Sequence, residues 1–522
     1  MVWAEWAAAI HAGHGDRFNS GLPFYPPAVA YLIAWLSPGG GGPPNFVAIK
    51  MLWCVMNAAA VALAYLAVAR EFGRRIALIA SALGAFSFGL GVISTSLNSE
   101  TPYLLAVVAL VLAGRRLAER PTWATAGAFG VLHGAANMIR AEHTLLAAMM
   151  VGWVVWRWWR AGWIAERRWR SLGVLAAVGV AFAVTCLPWS LHATRANIRY
   201  NRGDPGARFM PDYDRMTPAW TPDARAFFDG LPEFAKRDTG AYLYTESVRR
   251  GLPRVTAEDV RHILNEGFGY VPEPVRAFTL VASSGPLAFA LANHPDAWGG
   301  FSKAALDARF GGDIALGIPS HLRLYNDGLG VGLGYIGQDP GRWLRNVGVK
   351  VLNFWSGVTL GVTARNLPLG RDGERRAVDM VTHEPGRGAP WRAAVTVAVL
   401  AGAVIALRRG RGGVWMIVIA SKVAVTVLFF GYARQAVSIL PAFLLLAAIT
   451  IDAVAAWALA RGVPRRLVIA VGAGGLIGLA AVDASALFAR SVPRVEGPMR
   501  ADPRWGAAAF VSPETVRLRF TP

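Results

Sequence analysis

Over 522 residues the chain is 54% hydrophobic and 16% charged, with a mean hydropathy of +0.37. Several apolar runs reach the roughly 20 residues a helix needs to cross a bilayer, and a soluble core could not bury them all. The formal charge of +20 comes from arginines grouped in short segments between those runs, not from one continuous face, which argues against a nucleic-acid partner.

The opening, MVWAEWAAAIHAGHGDRFNSGLPFYPPAVAYLIAWL, has no basic n-region and no signal-peptide core, and reads as a loop. Membrane helices are then expected at about 47–69, 76–97, 101–116, 122–138, 141–158, 173–194, 391–408, 413–431, 436–459 and 466–486. Between them lie Arg70, Arg74 and Arg75; Arg115, Arg116 and Arg120; Arg157 to Arg170; Arg408, Arg409 and Arg411; and Arg461, Arg465 and Arg466. Basic short loops stay cytoplasmic, so these segments go inside. The segments near 98–100, 139–143, 195–390, 431–435 and 488–522 then go outside, where the short loops carry only Arg140 and Arg434.

The block 195–390 is hydrophilic and nearly charge-balanced, as a small outer domain would be. Within it, PGRWLRNVGVKVLNFWSG (340–357) mixes Trp343, Leu344, Val347, Val351, Phe354 and Trp355 with Arg342, Arg345 and Lys350. That mixture predicts an interfacial helix. The expected fold class is an all-α polytopic membrane protein of about ten helices. Its parts are a membrane module (1–194), a mostly helical or irregular periplasmic domain (195–390), C-terminal helices (391–487) and an outer tail (488–522). Cys54 and Cys186 fall in apolar runs and read as small core residues.

Carboxylates are sparse near the helices. Glu71, Glu119 and Glu166 stand beside arginines on the inner side, as loop ion pairs would; Asp452 and Asp483 lie toward helix ends. On the outer side, Glu100 opens a helix in STSLNSETPYLL, with Ser99 as its expected cap. Glu100 and Glu5 are the candidate catalytic carboxylates. They could divide general-base work or hold a divalent cation, with Glu100 as the metal ligand. His11, His14 and Asp16 have ligand types, but no regular element fixes them.

Arg140, Arg434 and Lys50 are cations at the outer face, able to clamp an anionic head group; a guanidinium suits phosphate by donating two parallel hydrogen bonds. Snorkelling is the simpler role for Lys50. Arg140 shares a tight break with Glu142 and His143, which are candidate cavity residues. Lys422, deep in an apolar helix, either pairs internally or marks a head-group pocket. No Walker loop, dinucleotide fingerprint, HExxH or GxSxG occurs, so no nucleotide or redox cofactor is expected.

In order along the chain, EWAAAIHAGHGDRF…LPFYPPAVAYLIAWL, SLNSETPYLL, GAANMIRAEHTLL, LPWSLHATR, SSGPLAFALANHPDAWGGFS and GYARQAVSILPAFLLLAA resemble the bacterial GT-C glycosyltransferases of the glycosyltransferase-39/ArnT-like superfamily. The resemblance implies an inner-membrane enzyme acting at the periplasmic face. It would transfer a sugar, with inversion, from a polyprenyl-phosphate donor to a lipid, glycan or protein hydroxyl. Arg140, Arg434, Lys50 and Lys422 would hold the donor phosphate. Asn293 and His294, with Glu142 and His143, would line the cavity. The family's acidic pair after its first membrane helix falls at or before Met1, which implies a preceding helix. His192 stands where the family usually has Arg, and His294 where it has Asn. Two other readings use the same cationic cavity without bond cleavage: a lipid-linked glycan transporter and a catalytically inactive scaffold.

Overall fold

The computed structural model describes residues 6–7, 10–11, 23–37, 45–95, 98–202, 221–230, 256–258, 275–297, 299–300, 302, 319–359, 389–476, 494–496 and 517–519. Glu5, His14, Asp16 and Asp483 lie outside them, as does much of the expected outer domain.

The membrane module begins with α1 (Ala28–Trp35) and α2 (Phe46–Phe72). The Asn45 side chain accepts from Ala48 N at 3.1 Å and starts α2; Gly73, at φ 92°, ends it and turns the chain into α3 (Arg74–Ala85). The expected span at 76–97 is broken. α3 and α4 (Phe88–Thr95) meet at 60°. The sequence there, GAFSFGLG, is poor in helix formers, and the Ser87 hydroxyl accepts from Leu90 N at 3.4 Å to start the second piece.

Next come α5 (Glu100–Glu119), α6 (Trp123–Ile139), α7 (His143–Arg160), the single turn α8 (Trp163–Glu166) and α9 (Arg168–Asn201). Thr122 and Thr125 form a reciprocal capping box at the start of α6. The N-terminal cap of α5 is a correction. Asn98, not Ser99, accepts from the first amides of the helix, Glu100 N at 2.9 Å and Thr101 N at 3.1 Å. Asn98 is itself fixed by donating to Ile93 O at 2.8 Å.

At 34 residues α9 is longer than a bilayer requires, at about 1.5 Å per residue. Its far end holds the segment that follows α10 (Pro222–Asp229). Trp189 Nε1 donates to Val281 O at 2.6 Å, and Asn197 Nδ2 to Arg276 O at 2.9 Å. Asn201 exchanges two bonds with the Val275 backbone. This scaffolding delivers α11 (Gly285–Asn293), then α12 (Pro319–Gln338), kinked at Asp327, and α13 (Pro340–Thr359).

The C-terminal helices are α14 (Ala389–Arg408), α15 (Gly413–Leu428), the short α16 (Ala433–Val437) and α17 (Leu440–Ala460); helical backbone follows over 465–476. In the tail, β1 (Arg494–Glu496) pairs antiparallel with β2 (Arg517–Arg519), Val495 opposite Leu518.

The chain is thus a multi-pass helical membrane protein. Among the described residues α2, α5, the 168–199 part of α9 and α17 are long and apolar enough to span alone, and bent α3–α4 together makes a fifth candidate. One continuous core joins α2, α3, α5, α6, α7, α14, α15 and α17, with Leu104, Val111, Phe129, Met150, Trp415 and Phe443 buried in it. The basic helix ends meet at one side of this bundle. Arg115 pairs with Glu71 at 2.7 Å and with Glu119 at 3.5 Å, Glu71 also accepts from Gly412 N at 2.7 Å, and Arg75 pairs with Asp452 at 2.7 Å. Cys54 and Cys186 are both free; Cys186 is buried and Cys54 exposed.

Candidate functional site

At the opposite end of α5 the structure brings together Glu100, Arg140, Glu142, Lys422 and Arg434. Glu100 opens α5. Arg140 sits at the extended residue that ends α6, and Glu142 directly precedes α7. The short break thus aims Arg140 back at α5. Its Nη1 donates to Glu100 Oε1 at 2.9 Å and to Ser99 Oγ at 3.2 Å, while Nε donates to Glu142 Oε1 at 2.9 Å. Lys422, reaching from α15, pairs with the same Glu142 oxygen.

Arg434, on the turn of α16, is held more loosely. Its Nε lies 3.5 Å from Glu100 Oε1 without hydrogen-bond geometry, and its side chain is 38% exposed against 3% for Glu100. The Tyr432 ring lies 5.1 Å from its guanidinium carbon. Among the described residues the cluster therefore sets three cations against two carboxylates, leaving one positive charge on its most accessible member. Such a site attracts an anion.

A residue the sequence reading did not single out lies underneath. The buried Tyr103 ring, one turn after Glu100, faces Lys422 Nζ at 5.0 Å and Arg140 Cζ at 5.7 Å. Its hydroxyl bonds His143 Nδ1 at 3.1 Å, and His143 Nε2 bonds His133 Nδ1 at 2.8 Å. His143 is fully buried in this chain, behind Tyr103 and away from any open surface. The Glu142 carboxyl lies in the interhelical turn. Burial alone would raise its pKa; the Arg140 and Lys422 charges reverse that and hold it down to about 2.

Asn293 ends α11 and belongs to a second, buried node. Its amide donates to Phe289 O and Leu428 O, both at 2.9 Å, while its oxygen accepts from Trp343 Nε1 and Lys350 Nζ, both at 3.0 Å. All its hydrogen-bonding capacity is spent inside the protein. Lys350 lies on the inward side of α13. Asn346, Lys350, Phe354 and Gly357 face inward, whereas Leu344 and Leu352 are exposed. His294 follows Asn293; its Nδ1 accepts from Asp296 N at 3.0 Å, and burial lowers its pKa more than Asp296 raises it. Lys50 is exposed on the first turns of α2 and makes no ion pair among the described residues. His11 bonds Ala34 O at 2.6 Å.

Nothing among the described residues gathers three His, Cys, Asp or Glu side chains into a cation site. Glu100 engages two guanidinium groups, which does not fit it to a divalent ion.

Residues 25–189 match the family model of dolichyl-phosphate-mannose-protein mannosyltransferases. The matched stretch contains Glu100, Arg140 and Glu142. Among solved structures, the chain is similar to the oligosaccharyltransferase AglB of Archaeoglobus fulgidus, in complex with an inhibitory peptide and a dolichol-phosphate. Identity is 15% and the TM-score 0.41, over 93% of this chain and 51% of that one. It is also similar to ArnT of Cupriavidus metallidurans bound to undecaprenyl phosphate, at 13% identity and a TM-score of 0.30, over 87% and 72% of the two chains. The chain thus spans about half the length of the archaeal protein. No curated protein matches it.

Proposed function

We propose that the protein is a glycosyltransferase of the cytoplasmic membrane that takes a sugar from a polyprenyl-phosphate donor at the extracytoplasmic face. The observation that carries this reading is the cation-rich cluster of Arg140, Lys422 and Arg434 around two carboxylates, set opposite the arginine-rich helix ends. The mannosyltransferase family match over 25–189 supports it. The ligands of the two similar structures, a dolichol-phosphate and an undecaprenyl phosphate, give the ligand class to test.

The chemistry follows from charge. An acceptor hydroxyl attacks the anomeric carbon from the face opposite the phosphate, the anomeric C–O bond breaks, and the polyprenyl phosphate departs with the bonding pair. Negative charge on the phosphate grows as that bond breaks. Arg434, accessible and only loosely held, stabilises it, and Arg140 and Lys422 lend their field from behind. Glu100 and Glu142 hold these cations in place. Glu5 is the proposed acceptor of the hydroxyl proton.

Membranes containing the protein, given undecaprenyl-phosphate hexoses and pentoses radiolabelled in the sugar, test this. Label is expected to move from one donor into a new product, at least tenfold more slowly with Arg434→Ala. Saturable donor binding with the sugar left intact would favour the transporter or scaffold instead.

A further inference from the structure

Two lysines are buried among the described residues, Lys422 and Lys350. Lys422 faces a carboxylate. Lys350 is fully buried and its ammonium donates to two neutral acceptors, Asn293 Oδ1 at 3.0 Å and Val427 O at 3.2 Å. A buried ammonium without a counter-ion is costly, so its surroundings must compensate. Here they do so at a helix end. Val427 and Leu428 supply the last carbonyls of α15, which have no helical donor and carry the negative end of the helix dipole. Lys350 fills the first and Asn293 Nδ2 the second.

The chain leaving this end is gripped from both sides. Gly431 N donates to Gly299 O at 2.8 Å, and a Cβ on Gly431 would stand 1.9 Å from the Lys350 carbonyl oxygen. A Cβ on Gly357, also on α13, would stand 2.1 Å from Ala433 O. Arg434 comes next. Lys350 therefore joins three things: the end of the helix that carries Lys422, the segment 285–302, and the turn that carries Arg434.

We propose that Lys350 is a positioning residue for the anion site. With Asn293 it caps α15 and fixes the turn that presents Arg434, so the outer segment and the cation cluster are set by one bond network. The inference rests on the reading of that cluster as the donor-phosphate site.

The test is a double-mutant cycle on binding of undecaprenyl phosphate to the full chain in nanodiscs of phosphatidylethanolamine and phosphatidylglycerol. Lys350→Met is expected to weaken binding about tenfold. In an Arg434→Ala background the same change should cost less than about twofold, since residues that act through one another are not additive. Equal losses in both backgrounds would overturn the proposal. Trp343→Phe removes one donor to Asn293 and leaves Lys350 in place. It should shift binding in the same direction by a smaller factor, and it replaces Lys350→Met if that variant does not fold.

A nitroxide on Arg434→Cys, in a Cys54→Ser background, gives a reading without ligand. Lys350→Met should increase the label's mobility. Increased mobility in a protein that binds no undecaprenyl phosphate would sustain the positioning role and defeat the glycosyltransferase reading. Phosphate binding with unchanged mobility would do the reverse.

Discussion

The division of labour between two arginines can be separated by experiment. Arg140 is 12% exposed and hydrogen-bonded to two carboxylates; Arg434 is 38% exposed, ion-paired with Glu100 alone and hydrogen-bonded to neither. Removing Arg140 strips both carboxylates of a buried partner, which typically costs 3–5 kcal/mol, about the largest effect expected here. Removing Arg434 should cost no more than about 1 kcal/mol. Arg140→Ala is thus predicted to lower the thermal midpoint steeply, whereas Arg434→Ala should leave it nearly unchanged while weakening phosphate binding. Equal midpoint losses would refute the distinction. Glu142 gives a pH prediction. Its folded pKa is depressed, so its contribution is present above the unfolded carboxylate value of about 4.5 and is lost as pH falls toward about 2. Acid unfolding curves of wild type and Glu142→Gln should therefore converge over that window, with the wild type the steeper.

Local sequence reveals only part of this. The break GAANMIRAEHTLL places Arg140, Glu142 and His143 within four residues, and that proximity was legible. The partners of Lys422 and Tyr103 lie 280 and 40 residues away along the chain, and no local pattern encodes them. The Asn98–Ser99 pair offers two good capping residues side by side. Backbone direction decides between them, and sequence does not report it.

Among elements, α13 and the turn after α15 govern the site. α13 looks amphipathic in sequence, but its inward face carries Asn346 and Lys350 because Ala292 O accepts from the first, and Asn293 and the end of α15 accept from the second. Its apolar Leu344 and Leu352 are left outward, as a lipid-facing surface would have them. Long-range hydrogen bonding overrides the pattern here. The close backbone approach at Gly431 yields a further prediction. Gly431→Ala forces α13 and the turn apart, and overpacking of this kind costs about 1–3 kcal/mol. Phosphate affinity should fall with it, whereas Gly472→Ala, with open space around it, should alter neither. A Gly431→Ala protein of wild-type affinity would show that the turn tolerates displacement. Most helices were readable from the apolar runs and arginine punctuation; the α3–α4 bend was not, since a run of apolar and small residues reads as one span even where its glycines let it fold back.

At the scale of the molecule, the arginine asymmetry and the position of the cluster make one claim about orientation. In the proposed orientation, residues near the cluster face outward and the paired basic ends face the cytoplasm. In intact cells, on a Cys54→Ser background, an impermeant maleimide should label Asp296→Cys. It should label Arg409→Cys only after the membrane is opened. The reverse pattern would invert the protein and remove the site from the extracytoplasmic face.

The central claim is that the cluster recognises a lipid phosphate, and binding compares it most directly. Undecaprenyl phosphate and undecaprenol, which differ only in the phosphate, are titrated into wild type and Arg434→Ala in nanodiscs. The account predicts that wild type prefers the phosphate by at least tenfold and that Arg434→Ala loses most of that preference while its affinity for undecaprenol is unchanged. Equal affinity of wild type for the two lipids, or a preference that survives Arg434→Ala intact, would contradict it.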